Sequence, residues 1–141
     1  MMSGGRSRSG PGDRQRGQAR VEFALVVPIF LILLLSIVDF GWALRSWITV
    51  TNSAREGARA GAVGATCDDI KQRAVDTSAD LLSLSDVTVG NCQGDPGTNV
   101  EVTVSYEYSW ITPLGGLLTT FTGGSLPSTL TMTSKTDMRL E

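Results

Sequence analysis

The sequence predicts an α+β protein built on one long N-terminal helix, which crosses a membrane and extends beyond it, followed by a small domain with one helix and about three antiparallel strands. Three observations carry that prediction. From Phe23 to Leu44 nearly every residue is apolar or small, and at about 1.5 Å per residue such a run spans roughly 33 Å, enough for the hydrocarbon core of a bilayer. Small residues then recur at four-residue intervals as far as Ala62, so the helical period outlasts the apolar run. Further along, Val100, Val102, Val104, Tyr106 and Tyr108 alternate with Glu101, Thr103, Ser105 and Glu107, the period of a half-buried strand.

The first element is a leader. Residues 1–17 are mostly Gly, Ser, Arg and Gln, too poor in apolar surface to offset the entropy of ordering, and are read as a disordered basic leader. Arg6, Arg8, Arg14, Arg16 and Arg20 precede the apolar run against only Asp13 and Glu22, which keeps the N-terminus in the cytoplasm and exports the remainder of the chain. At the far end Trp42 and Trp47 flank Arg45, an arrangement in which the rings sit at the headgroups and the cation snorkels. A cleaved secretory signal is the competing reading, since Gly41-Trp42-Ala43 is a passable small-x-small site. The strongly apolar core from Phe23 to Val38 runs 16 residues, however, at the top of or beyond the roughly 7–15 usual for such regions.

Three residues of the span are not those of an inert anchor. Glu22 heads the apolar run, where a carboxylate is favoured by the positive end of the helix dipole. Pro28 removes an N–H from the helix interior and is expected to bend it. Asp39 would cost a few kcal/mol if buried unpaired, so it reaches the interface, is protonated, or pairs with a partner. Past the membrane, Ser53, Gly57 and Gly61 form one small-residue row and Ala54, Ala58 and Ala62 another. Such rows let backbones approach closely, against the chain's own domain or against another subunit. Arg55 and Arg59 are like charges at i,i+4 while Glu56 and Arg59 attract at i,i+3, so packing rather than charge must hold this segment.

About 95 residues follow Leu44, which allows one small domain. Thr66-x-x-Asp69 is a candidate capping box opening a helix over Asp68–Leu84, with Ile70, Ala74, Leu81 and Leu82 tending to one side. A strand follows at Asp86–Gly90, then a turn-rich loop over Asn91–Gly97, then the alternating strand. From Ser109 to Pro127 the pattern dissolves around Pro113, Gly115-Gly116 and Gly123-Gly124, and is read as a flexible loop. Its Leu114, Leu117, Leu118 and Phe121 either fold back on the sheet or dock on a partner or the membrane surface. A last strand covers Ser128 to about Leu140. The expected organisation is 1–17 leader, 18–65 membrane helix and its extension, and 66–141 exported α+β domain. If the helix runs away and the short strand returns, Cys92 comes back near Cys67, and outside the cytoplasm the two would form a disulfide; two unpaired thiols is the alternative.

Composition narrows the function. The formal net charge is −2 and there is no histidine, which leaves no Ser–His or Cys–His scheme and only Lys71 and Lys135 for a Ser–Lys pair. No P-loop or dinucleotide fingerprint occurs, two cysteines without histidine do not complete an ordinary zinc site, and Asp68-Asp69 suits a helix start. The expectation is a non-enzyme with no catalytic residue, cofactor or metal. With the basic charge confined to the leader, no nucleic-acid partner is expected either.

Gly17-Gln18-Ala19-Arg20-Val21-Glu22-Phe23-Ala24-Leu25-Val26-Val27-Pro28, then Asp39-Phe40-Gly41, then Ala54-Arg55-Glu56-Gly57-Ala58-Arg59 resembles the TadE-like pseudopilins of the tight-adherence (Flp-type) pilus machinery, and the closing Met138-Arg139-Leu140-Glu141 is similar to their ending. The resemblance implies a pilin-like stalk, a single-pass protein of the cell membrane with a cytoplasmic N-terminus and an extracytoplasmic domain, and a role in pilus assembly. It also implies that a prepilin peptidase cuts between Gly17 and Gln18, leaving Glu22 as residue five ahead of Phe23, where the pilin subunits more often have tyrosine. Glu22 would then neutralise the new amine of a neighbouring chain. Glu22, Pro28 and Asp39 become the expected assembly residues, with other pilin-like subunits and the assembly machinery as partners. An uncleaved anchor, or a membrane-tethered or secreted binding domain unrelated to pili, stands as the alternative.

Overall fold

The computed structural model describes residues 11–125, 127 and 129–141. The chain divides into one unit ending at Ile37 and a second beginning at Val38. In the first, helix α1 (Pro11–Ala62) begins. Of the leader, residues 1–10 lie outside the described residues, whereas Pro11–Gly17 form the first turns of α1 rather than a disordered segment. Proline suits this position, because its fixed φ is already helical and the first helical N–H has no partner to lose. From Gly17 the helix contains a stretch long and apolar enough to cross a membrane. Phe23, Ile29, Phe30, Leu33 and Ile37 are all exposed, and a helix apolar all round needs an apolar surround. Ser36 keeps its hydroxyl on its own helix, donating to the Ile32 carbonyl at 2.7 Å. The helix is continuous through Pro28.

The second unit has two layers. One is the outer part of α1 together with α2 (Cys67–Thr77); the other is an antiparallel sheet of β1 (Val87–Gly90), β2 (Asn99–Ser109) and β3 (Thr129–Arg139) in the order β1-β2-β3. Val87 pairs with Val104, and Val100 with Met138, so the alternation of β2 sets the register on both sides. Val100, Val102 and Val104 face the helices and meet Val50, Ala54, Ala58, Ile70 and Ala74 in one core. The second unit begins at Val38 because the end of α1 supplies core residues to it. On the wet face Lys135 and Glu101 pair at 2.7 Å. The chain end is tied back as Glu141 donates its N–H to the carbonyl of Ala62 at 3.1 Å, satisfying one of the orphan acceptors at the C-terminus of α1.

The small-residue rows are explained by this packing. A Cβ added at Gly61 would stand 2.8 and 2.9 Å from the two methyls of Val100 and 3.1 Å from Ile70 Cδ1; at Gly57 the nearest approach is 3.3 Å. Valine is stiff at χ1 and cannot swing both methyls away. Gly61→Ala is therefore expected to lower stability by about 1–2 kcal/mol, overpacking outweighing the gain of roughly 0.5–1 kcal/mol from a better helix former. Thermal unfolding of the full chain in detergent should show Gly61→Ala losing more than Gly57→Ala; the reverse order would contradict this packing.

Two helices differ from the sequence reading. Thr66 is the N-cap of α2, accepting from the Asp69 N–H at 3.2 Å, but the helix stops at Thr77 instead of running to Leu84. The Ser78 hydroxyl donates to the Val75 carbonyl at 2.6 Å and accepts from the Leu82 N–H at 3.1 Å, and Ala79 and Asp80 follow with φ of 50° and 66°. A left-handed pair turns the chain out of the helix. Leu82 still reaches the core, but from the turn. The segment read as a loop from Ser109 holds a third helix, α3 (Leu114–Phe121).

Candidate functional site

The segment at the head of the apolar run lies in the first unit. Gln18 donates through Nε2 to Glu22 Oε1 at 3.0 Å, one helical turn apart, so the structure brings these two predicted residues together. Gly17, Gln18, Glu22 and Phe23 are exposed. Nothing lies within 4 Å of the position a Gly17 Cβ would occupy. A glycine within a helix costs roughly 0.5–1 kcal/mol against alanine, so Gly17 weakens the helix locally. Pro28 lies further along the same helix.

Asp39 is in the second unit, and its partner is in its own chain. Only 1% of its surface is exposed. Its Oδ1 accepts the backbone N–H groups of Ile111 and Thr112, each at 3.1 Å. The Thr112 hydroxyl donates to Oδ2, while the Tyr108 hydroxyl donates to the Asp39 backbone carbonyl at 3.1 Å. One carboxylate and one carbonyl on α1 thus collect four donors from the end of β2 and the residues after it. Burial raises the Tyr108 phenol above its ordinary value, and the charges of Asp39 and Tyr106 act in the same direction. The neutral hydroxyl is the form that can donate here.

Around that clamp the chain is arranged by glycine and rings. A Cβ on Gly115 would lie 2.7 Å from Trp110 Cδ1 and Cγ, so only glycine lets the indole close over the start of α3. Tyr108 and Trp110 meet edge to face with centroids 6.3 Å apart. Two turns beyond Asp39, the Arg45 guanidinium lies 4.9 Å over the Trp42 ring, the cation–π geometry of an exposed pair. Sequence reasoning singled out Asp39, Trp42 and Arg45 but missed Tyr108, Ile111, Thr112 and Gly115. The one available signal was that a carboxylate among apolar residues needs donors.

Cys67 and Cys92 are bonded, with Cα atoms 5.3 Å apart. Cys67 opens α2, and Cys92 follows Asn91, whose φ of 54° turns the chain back from β1. The bond joins helix to sheet at the rim of the core.

Against known families, residues 17–59 match the family model described as TadE-like protein. The match begins at Gly17, includes Glu22, Pro28 and Asp39, and ends at Arg59. Neither the curated proteins nor the solved structures yield a match to the chain.

Proposed function

We propose that this chain is a TadE-like minor pseudopilin, a single-pass membrane subunit that works in the assembly of a tight-adherence pilus through its helix and its exported domain and not through catalysis. The observation that carries the reading is the family match over residues 17–59, falling on a glycine and a glutamate five residues apart at the mouth of an apolar helix with exposed side chains all round. The N-terminus stays in the cytoplasm with its arginines and the disulfide-bonded domain lies outside. A prepilin peptidase hydrolyses the Gly17–Gln18 amide, water adding to the Gly17 carbonyl and the freed amine becoming the N-terminus of Gln18. Glu22 is then one helical turn from its own chain's amine and, between subunits, an acceptor for a neighbour's. In an apolar surround such a pair is worth far more than in water.

Glu22→Ala tests this reading. The variant is expected to insert normally and reach wild-type levels in the membrane, yet to reduce surface pili by at least about tenfold, the scale of losing one charge-assisted contact worth roughly 1.4 kcal/mol or more per subunit. Unchanged piliation would remove Glu22 from assembly. Sequencing the N-terminus of the membrane-recovered protein tests the cut independently: a start at Gln18 supports processing, a start at Met1 or Met2 means an uncleaved anchor, and a start near Leu44 means a secreted domain and overturns the reading.

A further inference from the structure

We propose that the segment joining β2 to β3 is a second membrane contact: Trp110, Ile111 and the exposed side of α3 enter the lipid interface at the end of the span marked by Leu44. The inference rests on α1 crossing a membrane and adds a surface that this reading does not require.

Depth is the first argument. Asp39 lies five residues before Leu44, about 7.5 Å back along the helix into the apolar run. Because its carboxylate holds the N–H groups of Ile111 and Thr112 at 3.1 Å, those residues share its level. Irregular backbone is tolerated at such a depth only where its polar groups are satisfied within the protein, and the clamp does this for both N–H groups and the Thr112 hydroxyl. Asp39 in turn has its charge compensated by three donors, which removes the cost of placing a carboxylate there.

Charge is the second argument. From Tyr108 to Ser134 the chain carries no Asp, Glu, Lys or Arg, the longest such stretch in the sequence and longer than the one inside the span. The opposite end of the sheet is charged, with Arg139 paired to Asn99 and Glu141 beside Ala62. A cleft of about 190 Å³ between the clamp and α3 is lined by Ser109, Trp110, Thr112, Gly115, Gly116 and Thr119, with no ionisable group. At this end Ile111 is 54% exposed and Leu117 45% exposed, and Leu130, paired with Tyr108, is 38% exposed. Apolar side chains and one partly exposed indole at the level of an apolar span, with Glu107 the nearest exposed charge on β2, fit a lipid interface.

The test places an environment-sensitive fluorophore by thiol labelling at Leu117→Cys, with Leu33→Cys in the middle of the span and Glu141→Cys at the far end of the domain as references. Each full-length variant, its native disulfide kept oxidised, is reconstituted in phosphatidylethanolamine–phosphatidylglycerol vesicles. Quenching by nitroxide lipids is compared with quenching by iodide. The proposal expects lipid quenching at residues 33 and 117, and iodide quenching at 117 about threefold weaker than at 141, as for a side chain sunk roughly 5–10 Å into the headgroup boundary. Lipid quenching at 33 with a response at 117 equal to that at 141 would overturn the second contact and leave the span intact. Shielding of 117 from both quenchers would mean a protein cover and would overturn the lipid assignment. Absence of lipid quenching at 33 would overturn the span, and the inference with it.

Discussion

Asp39→Ala is expected to release the segment after β2 and lower the stability of the domain by roughly 3–4 kcal/mol. The size reflects what the carboxylate holds. Two backbone N–H groups and one hydroxyl converge on its oxygens, each bond to a charged acceptor contributes about 1.5–3 kcal/mol, and the sum is reduced because neighbouring bonds share the same desolvation. Alanine leaves all three donors without an acceptor in a site closed to water. For a domain of this size the corresponding fall in Tm is on the order of 10 °C or more, measured by near-UV circular dichroism of the full chain in detergent. Asp39→Asn keeps one acceptor oxygen and should lose about half as much. Trp110 offers a local readout, since its contact with Tyr108 depends on the clamp and its near-UV signal should weaken before the sheet melts. An alanine variant that melts within about 2 °C of the wild type with its Trp110 signal intact would refute the clamp.

The same residue shows how far the sequence could be read. That a carboxylate among apolar residues must be satisfied was legible; that its donors lie 72 and 73 residues away was not. Local periodicity carries no information about which loop returns to which turn of a helix. The strand β2 was legible because alternation is local, and so was the start of α2, because Thr66 and Asp69 form their cap within one turn. The end of α2 was not, since Ala79 and Asp80 take left-handed φ without a glycine or asparagine to announce it. Helix α3 was hidden for the opposite reason: Pro113, Gly115 and Gly116 read as a loop, whereas Gly115 is there for the indole of Trp110 to close over it. The small-residue rows on α1 had two readings of equal weight, its own domain or another subunit. Gly61 in contact range of Val100 and Ile70, and Gly57 of Ala74 and Val102, decide for the domain at these two positions.

The disulfide is expected to have a comparable effect by a different route. Replacing Cys67 and Cys92 together by serine should cost about 3.5 kcal/mol, the chain-entropy value for a cross-link between residues 25 apart, and lower Tm by on the order of 15 °C. Most of that arises in the unfolded chain, which regains the freedom of the loop, so the loss should appear as slower refolding and a larger dependence on denaturant rather than as an altered fold. The loop holds part of the cover of α1: Ile70 and Ala74 on α2 and Val87 on β1 belong to the core that Ala54 and Ala58 enter. Local opening of this loop therefore removes Ile70 and Ala74 from the Gly57–Gly61 face of the helix and leaves Val100 and Val102 of β2 on it. In the serine variant, hydrogen exchange at the α2 amides should accelerate more than at β3, which pairs with β2 along its whole length outside the loop. Equal acceleration in both would mean that the bond stabilises the domain only globally, and an unchanged Tm would mean that it contributes nothing.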